Sequence, residues 1–287
     1  MTDSELIQLR REKWRIAGNP VRTLEDGRGF IESVGFCPML PLGAPLSLPT
    51  FVGAWSGSDE KLPTQKQAFT DQRAKDATEL MVRLLRDKSA YEATLLDESN
   101  AFLLSASLFP YFYALVGERN PRQAPKAGPR SPYSQLACDV YVIIHRKGPI
   151  SKLKLLEDVG KGISVPALDR ALADLWSKLR ITRVDYHERD GASWDVLQRW
   201  APEAVSEGVN CSVNAAISAL LSKYLDCVVA ADQQELESFF GNFVARSRVR
   251  EAVNALLAAR ELSFVPVGNR SLIQVTQAQP VRRLGTR

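Results

Sequence analysis

Cations are the side chains with the most evident chemistry in this chain. Lys152, Lys154, Lys161, Arg170, Lys178, Arg183 and Arg189 crowd into the middle of the sequence. Arg246 and Arg248, with Arg250, make a second concentrated positive site in RSRVR. Such groups neutralise phosphates and hold a polyanion by charge. His187 sits in a polar turn, from which it can approach a phosphate or a groove edge. Two carboxylates are candidates for catalysis. Hydrolysis of a glycosidic bond needs a group that positions water and a field that stabilises an oxocarbenium-like sugar. Glu32 could serve as the base, although it lies at helical spacing on a polar face. Asp76 follows Lys75 at the start of an apolar helix face, and the pair reads as a buried ion pair beside a cleft or as part of a site.

Other chemistries find no support. His145 and His187 have no Cys or carboxylate at ligand spacing, so no metal site is expected. The chain has neither a Gly-x-x-x-x-Gly-Lys-Ser/Thr loop nor a Gly-x-Gly-x-x-Gly turn, so no nucleotide cofactor is expected, and no other cofactor either. No Gly-x-Ser-x-Gly elbow is present. Cys37 has no His nearby and reads as packing or cleft wall. The four cysteines show no paired spacing and read as reduced thiols. The N-terminal stretch is charged and no apolar run could span a membrane, so a cytoplasmic protein is expected. The net charge is only +4, but its distribution is uneven. Residues 121–200 carry 14 Lys/Arg against 9 Asp/Glu, whereas residues 1–120 carry 14 against 16.

The elements that must position these cations follow from periodicity. In residues 131–200, Leu136, Val140, Ile143 and Ile144 give a first helix with one apolar face, stopped at Gly148-Pro149. Ser151 can cap a short second helix and Ser164 a third, whose inward stripe is Leu168, Ala171, Leu172, Leu175 and Leu179. Thr182, Val184 and Tyr186 then alternate with charged residues as a half-buried strand, and residues 193–196 return as its partner. Three short helices followed by a two-stranded wing is the pattern of a winged helix, whose last helix enters the major groove of duplex DNA.

The same order recurs in residues 201–276. A helix over 213–230 precedes a short one capped by Asp232, and a third spans 245–260. A hairpin turning at Gly268-Asn269 completes the unit. Residues 1–120 read as a helical region. Thr23 with Asp26 starts a helix like a capping box, and 71–85 form another. Between them, Pro38, Pro41, Pro45 and Pro49 predict an ordered loop or extended segment that buries Leu40, Leu42, Leu46, Leu48, Phe51 and Trp55. Residues 88–98 give no clear pattern, the aromatics Tyr111, Phe112 and Tyr113 read as core, residues 120–132 as a basic linker, and 277–287 as a frayed tail. The expected fold is mainly α with small β wings: tandem winged helices behind an N-terminal helical region.

EDGRGFIESVGFCPMLP, LFPYFYALVGERN, and LDRALADLWSKLRITRV followed by WDVLQRWAPEAV together resemble the AlkZ-related proteins, winged-helix relatives of the AlkZ and YcaQ DNA glycosylases. The resemblance runs from about Arg15 to Val275. It implies a concave surface for double-stranded DNA and metal-independent excision of alkylated or cross-linked bases. The active glycosylases carry Gln-x-Gln or Gln-x-Asp soon after the first long helix, to hold the attacking water. The corresponding place here is Gly35-Phe36-Cys37, and no Gln occurs from Thr23 to Thr64. Two function classes therefore stand side by side: a glycosylase-like repair protein, and a non-enzymatic winged-helix regulator or DNA-binding accessory protein.

Overall fold

The computed structural model describes residues 1–42, 47–94 and 101–276. The first part of the chain runs α1 (Asp3–Lys13), α2 (Leu24–Val34), β1 (Phe36–Pro38), α3 (Phe51–Ser56), α4 (Gln72–Arg86), β2 (Ala90–Thr94), β3 (Ala101–Ser105) and α5 (Phe109–Val116). The middle contains α6 (Gln135–Lys147), β4 (Ile150–Ser151), α7 (Lys152–Val159), α8 (Val165–Trp176), β5 (Ile181–His187) and β6 (Gly191–Val196). The last part holds α9 (Leu197–Trp200), α10 (Pro202–Asn210), α11 (Val213–Val228), α12 (Gln233–Phe240), α13 (Arg246–Ala258), β7 (Leu262–Val267) and β8 (Arg270–Val275). The molecule is mostly helical with small antiparallel sheets.

Local chemistry accounts for the helix starts. Thr23 and Asp26 form a reciprocal capping box at α2. Ser151, Ser164 and Asp232 each accept a hydrogen bond from a backbone N–H in the first turn of the helix that follows. α2 ends at Gly35, whose φ of 80° turns the chain straight into β1. A Cβ there would lie 2.5 Å from Lys223 Cγ and 3.0 Å from Leu108 Cδ2, so the turn needs glycine twice over.

The N-terminal region departs from the helical expectation in two places. It contains a three-stranded sheet in the order β1-β3-β2, with Phe36 opposite Leu104 and Glu92 opposite Leu103. Pro38 fits because β1 is an edge strand. The proline-rich stretch gives way to the short helix α3, which opens after the last proline, with Thr50 accepting from Gly53 N–H. Leu40, Leu48 and Phe51 are buried as expected, while Leu42 and Trp55 are half-buried. Pro45, Leu46, the end of the 88–98 stretch and the 277–287 tail lie outside the described residues.

In the middle part, β4 pairs with β6 and β6 with β5, giving a sheet in the order β4-β6-β5. The α8 stripe of Leu168, Ala171, Leu172 and Leu175 is buried against α6, in a core that also holds Trp176 and Trp194. In the last part, β7 and β8 form a hairpin, and Ala231, just after α11, bridges to Ile273 of β8. That bridge occupies the place that β4 takes beside β6. The aromatic centre of this part is not its own: Phe36 stacks on Phe239 at 5.6 Å and on Tyr224 at 6.2 Å, and meets Phe112 edge-on at 5.3 Å. One hydrophobic core thus joins residues of the N-terminal region with residues of α11, α12, α13 and the hairpin.

Candidate active-site cleft and the expected cations

A cleft opens between α4 and β5. α4 starts at Asp71, which accepts from Arg73 and Ala74 N–H, and its apolar face is buried in the core. Its other side carries Thr78 and Val82 toward the cleft. β2 supplies Glu92, while Met39 and Leu40, directly after β1, form an apolar wall. On β5 the register shifts between Arg183 and Asp185. This irregularity lets Arg183, Asp185 and Tyr186 all line the cleft, although a regular pleat would send neighbouring residues to opposite faces. The inner cavity measures about 240 Å³. An outer hollow of about 770 Å³ shares Ala68, Phe69, Thr78, Val82 and Tyr186 with it and adds Lys75, Arg83 and Arg86. Phe69 is 68% exposed and stacks on Tyr186, ring centroids 6.2 Å apart and 24° from parallel.

The floor is electrostatically unusual. Glu92 is 2% exposed; its Oε1 accepts from Arg183 Nη1 at 3.2 Å, and its Oε2 has no hydrogen-bond partner. Burial pushes its carboxyl above the usual carboxylate range, and Arg183 pulls the other way. The Arg183 guanidinium lies over Trp176 at 4.3 Å and Trp194 at 5.4 Å. Trp176 Nε1–H in turn donates to the Glu92 carbonyl at 3.0 Å. Nearer the rim, Arg86 donates to Asp185 Oδ1 from Nε at 2.9 Å and from Nη2 at 2.6 Å.

The expected cations fall into three groups. Lys152, Lys154 and Arg189 meet where α7 begins, because Leu153 N–H donates to the Asp190 carbonyl in the β5–β6 turn. Lys154 and Arg189 are exposed, whereas Lys152 pairs with Asp169 at 2.5 Å. Lys161, after α7, and Arg170, on α8, are exposed; Lys178, just past α8, is half-buried. Arg246 and Arg248 are exposed in the first turn of α13, and no contact among the described residues ties them to the α7–α8 group. Arg183 departs from its expected role: its charge is spent on buried Glu92 and two indole faces. His187 is exposed, with Nε2 3.5 Å from Asp185.

The carboxylate candidates resolve differently. Glu32 is exposed and accepts from Ser107 Oγ at 2.5 Å. Asp76 accepts from Gln72 Nε2 at 2.6 Å, and Lys75 points to solvent. The buried Lys75–Asp76 ion pair is therefore corrected: both side chains sit on the wet side of α4. Phe36 and Cys37 face the core and not a cleft, and burial pushes the Cys37 thiol well up, away from nucleophilic use. Glu92, Phe69 and Tyr186 were missed as a set because they come from three separate stretches. The only local signal was a single Glu between apolar residues in AYEAT. Among the described residues no group of three His, Cys, Asp or Glu is gathered for a metal, and no helix is long and apolar enough to cross a membrane.

Comparison with known proteins places this architecture. The fold is similar to that of DNA glycosylase AlkZ from Streptomyces sahachiroi, with a TM-score of 0.59 at 12% identity, covering 96% of this chain and 70% of that one. A search of curated protein sequences finds no match. The family model described as DNA glycosylase AlkZ-like matches residues 71–284, most of the chain. On that match, the protein belongs to the AlkZ-like DNA glycosylase family.

Proposed function

We propose that the protein binds double-stranded DNA through two winged-helix units, 131–200 and 201–276, and presents a modified base to the cleft beside α4 as a metal-independent glycosylase. The observation that carries this reading is the cleft itself: an aromatic rim, a polar floor and a buried carboxylate, between the N-terminal region and a unit that bears exposed cations. The element order supports the winged-helix reading. A helix, a short strand, two helices and a hairpin occur in 131–200, and the same order recurs after Val213 with the Ala231 bridge in place of the strand. Lys154, Lys161, Arg170 and Arg189 are then the phosphate contacts of the first unit, and Arg246 and Arg248 those of the second.

A second reading is DNA binding without base excision, as a regulator or accessory protein. The observation favouring it is that Phe36 and Cys37 are fully buried and no Gln holds water nearby. One assay separates the two. Duplex DNA carrying alkylated purines is incubated with the protein and abasic sites are counted. The glycosylase reading expects sites above background, and their absence with intact duplex binding leaves the second reading. Binding itself should fall steeply with added salt; salt-independent association would remove both.

A further inference from the structure

We infer that the inner cavity holds a single extruded nucleobase, with Phe69 and Tyr186 stacking on its face and Glu92 Oε2 accepting an N–H from its edge. The inference rests on the reading that this cleft is where the protein meets DNA. Three observations converge on it. The buried oxygen of Glu92 lacks any hydrogen-bond partner while its carboxyl lines the cavity floor, and an unmade bond at such a site is costly unless a ligand supplies the donor. The cavity of about 240 Å³ is small, walled by Met39, Leu40 and Val82, and suits a flat apolar-faced heterocycle better than a chain or a sugar polymer. At the rim, a large aromatic ring lies 68% exposed against a second, nearly parallel ring. Such a platform is unfavourable in water and is what base stacking uses. Arg183 already occupies Oε1, so the free oxygen recognises one donor edge and not two. Enzymes that act on a base take it out of the stack into a pocket read by hydrogen bonds to its edge.

The test needs no catalysis. The intact protein is titrated with 9-methyladenine and, separately, with its N6,N6-dimethyl analogue, which keeps the ring face and lacks the N–H donors. Heat of binding and chemical-shift changes are recorded. 9-Methyladenine should bind, the dimethyl analogue about tenfold or more weaker. Phe69→Ala, at an exposed rim position, should weaken 9-methyladenine about tenfold without altering the melting temperature. Glu92→Gln should level the difference between the two probes. Absence of 9-methyladenine binding, or equal binding of both probes by the unaltered protein, overturns the inference. So does indifference to Phe69→Ala, which does not depend on the buried variant folding. Duplex binding measured in parallel keeps the two readings apart. Base binding without duplex binding sinks the DNA reading and keeps the pocket, and duplex binding without base binding does the reverse.

Discussion

Leu168, Leu172 and Leu175 of α8 pack within the unit that carries them, against α6 and its own small sheet. Val249 and Val253 of α13, in the unit with the same element order, enter a core that also contains Phe36, Phe112 and Phe51 from the N-terminal region. The first unit is therefore a body docked on its neighbour. It is held there by the Glu92–Arg183 and Arg86–Asp185 pairs and by Arg180, which pairs with Glu118 at 3.1 Å and donates to the Asn120 carbonyl. The second is half of a larger core. The difference teaches that a repeated local pattern does not imply a repeated packing solution. It also explains the position of the cleft: it opens at the docked interface, where polar groups meet, and not in the continuous apolar core.

The sharpest way to break this comparison is to empty each core. Phe36→Ala should cost about 3–5 kcal/mol and loosen amides in α11 and α12 together with those of α2. Leu168→Ala should cost about 2–5 kcal/mol, with lost protection confined to 131–200. Denaturant titration with hydrogen exchange measures both, and equal loosening across the whole chain in the Leu168 variant would abolish the distinction. Next in size, Arg183→Met leaves Glu92 buried and unpaired, which should cost roughly 3 kcal/mol at neutral pH. Removing Arg183 raises the Glu92 carboxyl further, so the folded form holds its proton to higher pH than the unfolded chain does. Stability of the variant should then fall as pH rises out of the ordinary carboxylate range, and the deficit should shrink in acid.

The charged surfaces offer a finer comparison. Lys161→Ala with Arg170→Ala should weaken duplex binding several-fold and flatten the salt dependence by up to about 2 in log–log slope. Arg246→Ala with Arg248→Ala should do less, because the second unit is less basic. The reverse ranking would shift the DNA contact to that unit. The smallest effect concerns Glu237. Its hydrogen bonds from Arg250 at 2.9 and 2.8 Å and from Gln233 hold its carboxyl down at about 2, from an ordinary 4.5. Its contribution is complete above the ordinary value and is lost as pH falls through about 2. A melting series from pH 5 to 2 should therefore show a shallower acid loss in Arg250→Ala.

The helices and hairpins were legible because each writes its signal locally. The α8 stripe repeats at helical spacing, Ser164 and Asp232 stand where a cap must be, and the strands of the last hairpin flank Gly268-Asn269. The N-terminal sheet was not legible, since its three strands are short and draw on partners far apart in sequence. The Lys75–Asp76 pair misled for a related reason: adjacent residues on a helix point in different directions, so neither adjacency nor a nearby apolar run says which face they join.

Residue order alone determined the helix starts, the wing-like hairpins, the basic middle of the chain and the likeness that placed it in its family. These depend on spacing, capping and composition, which act over a few residues. Only the tertiary structure decided that Phe36 belongs to the core shared with α12, that Arg183 answers a buried acid, and that Phe69, Tyr186 and Glu92 surround one cavity. Burial sets the energy of a charge or an aromatic face, and burial is a property of the whole packed chain.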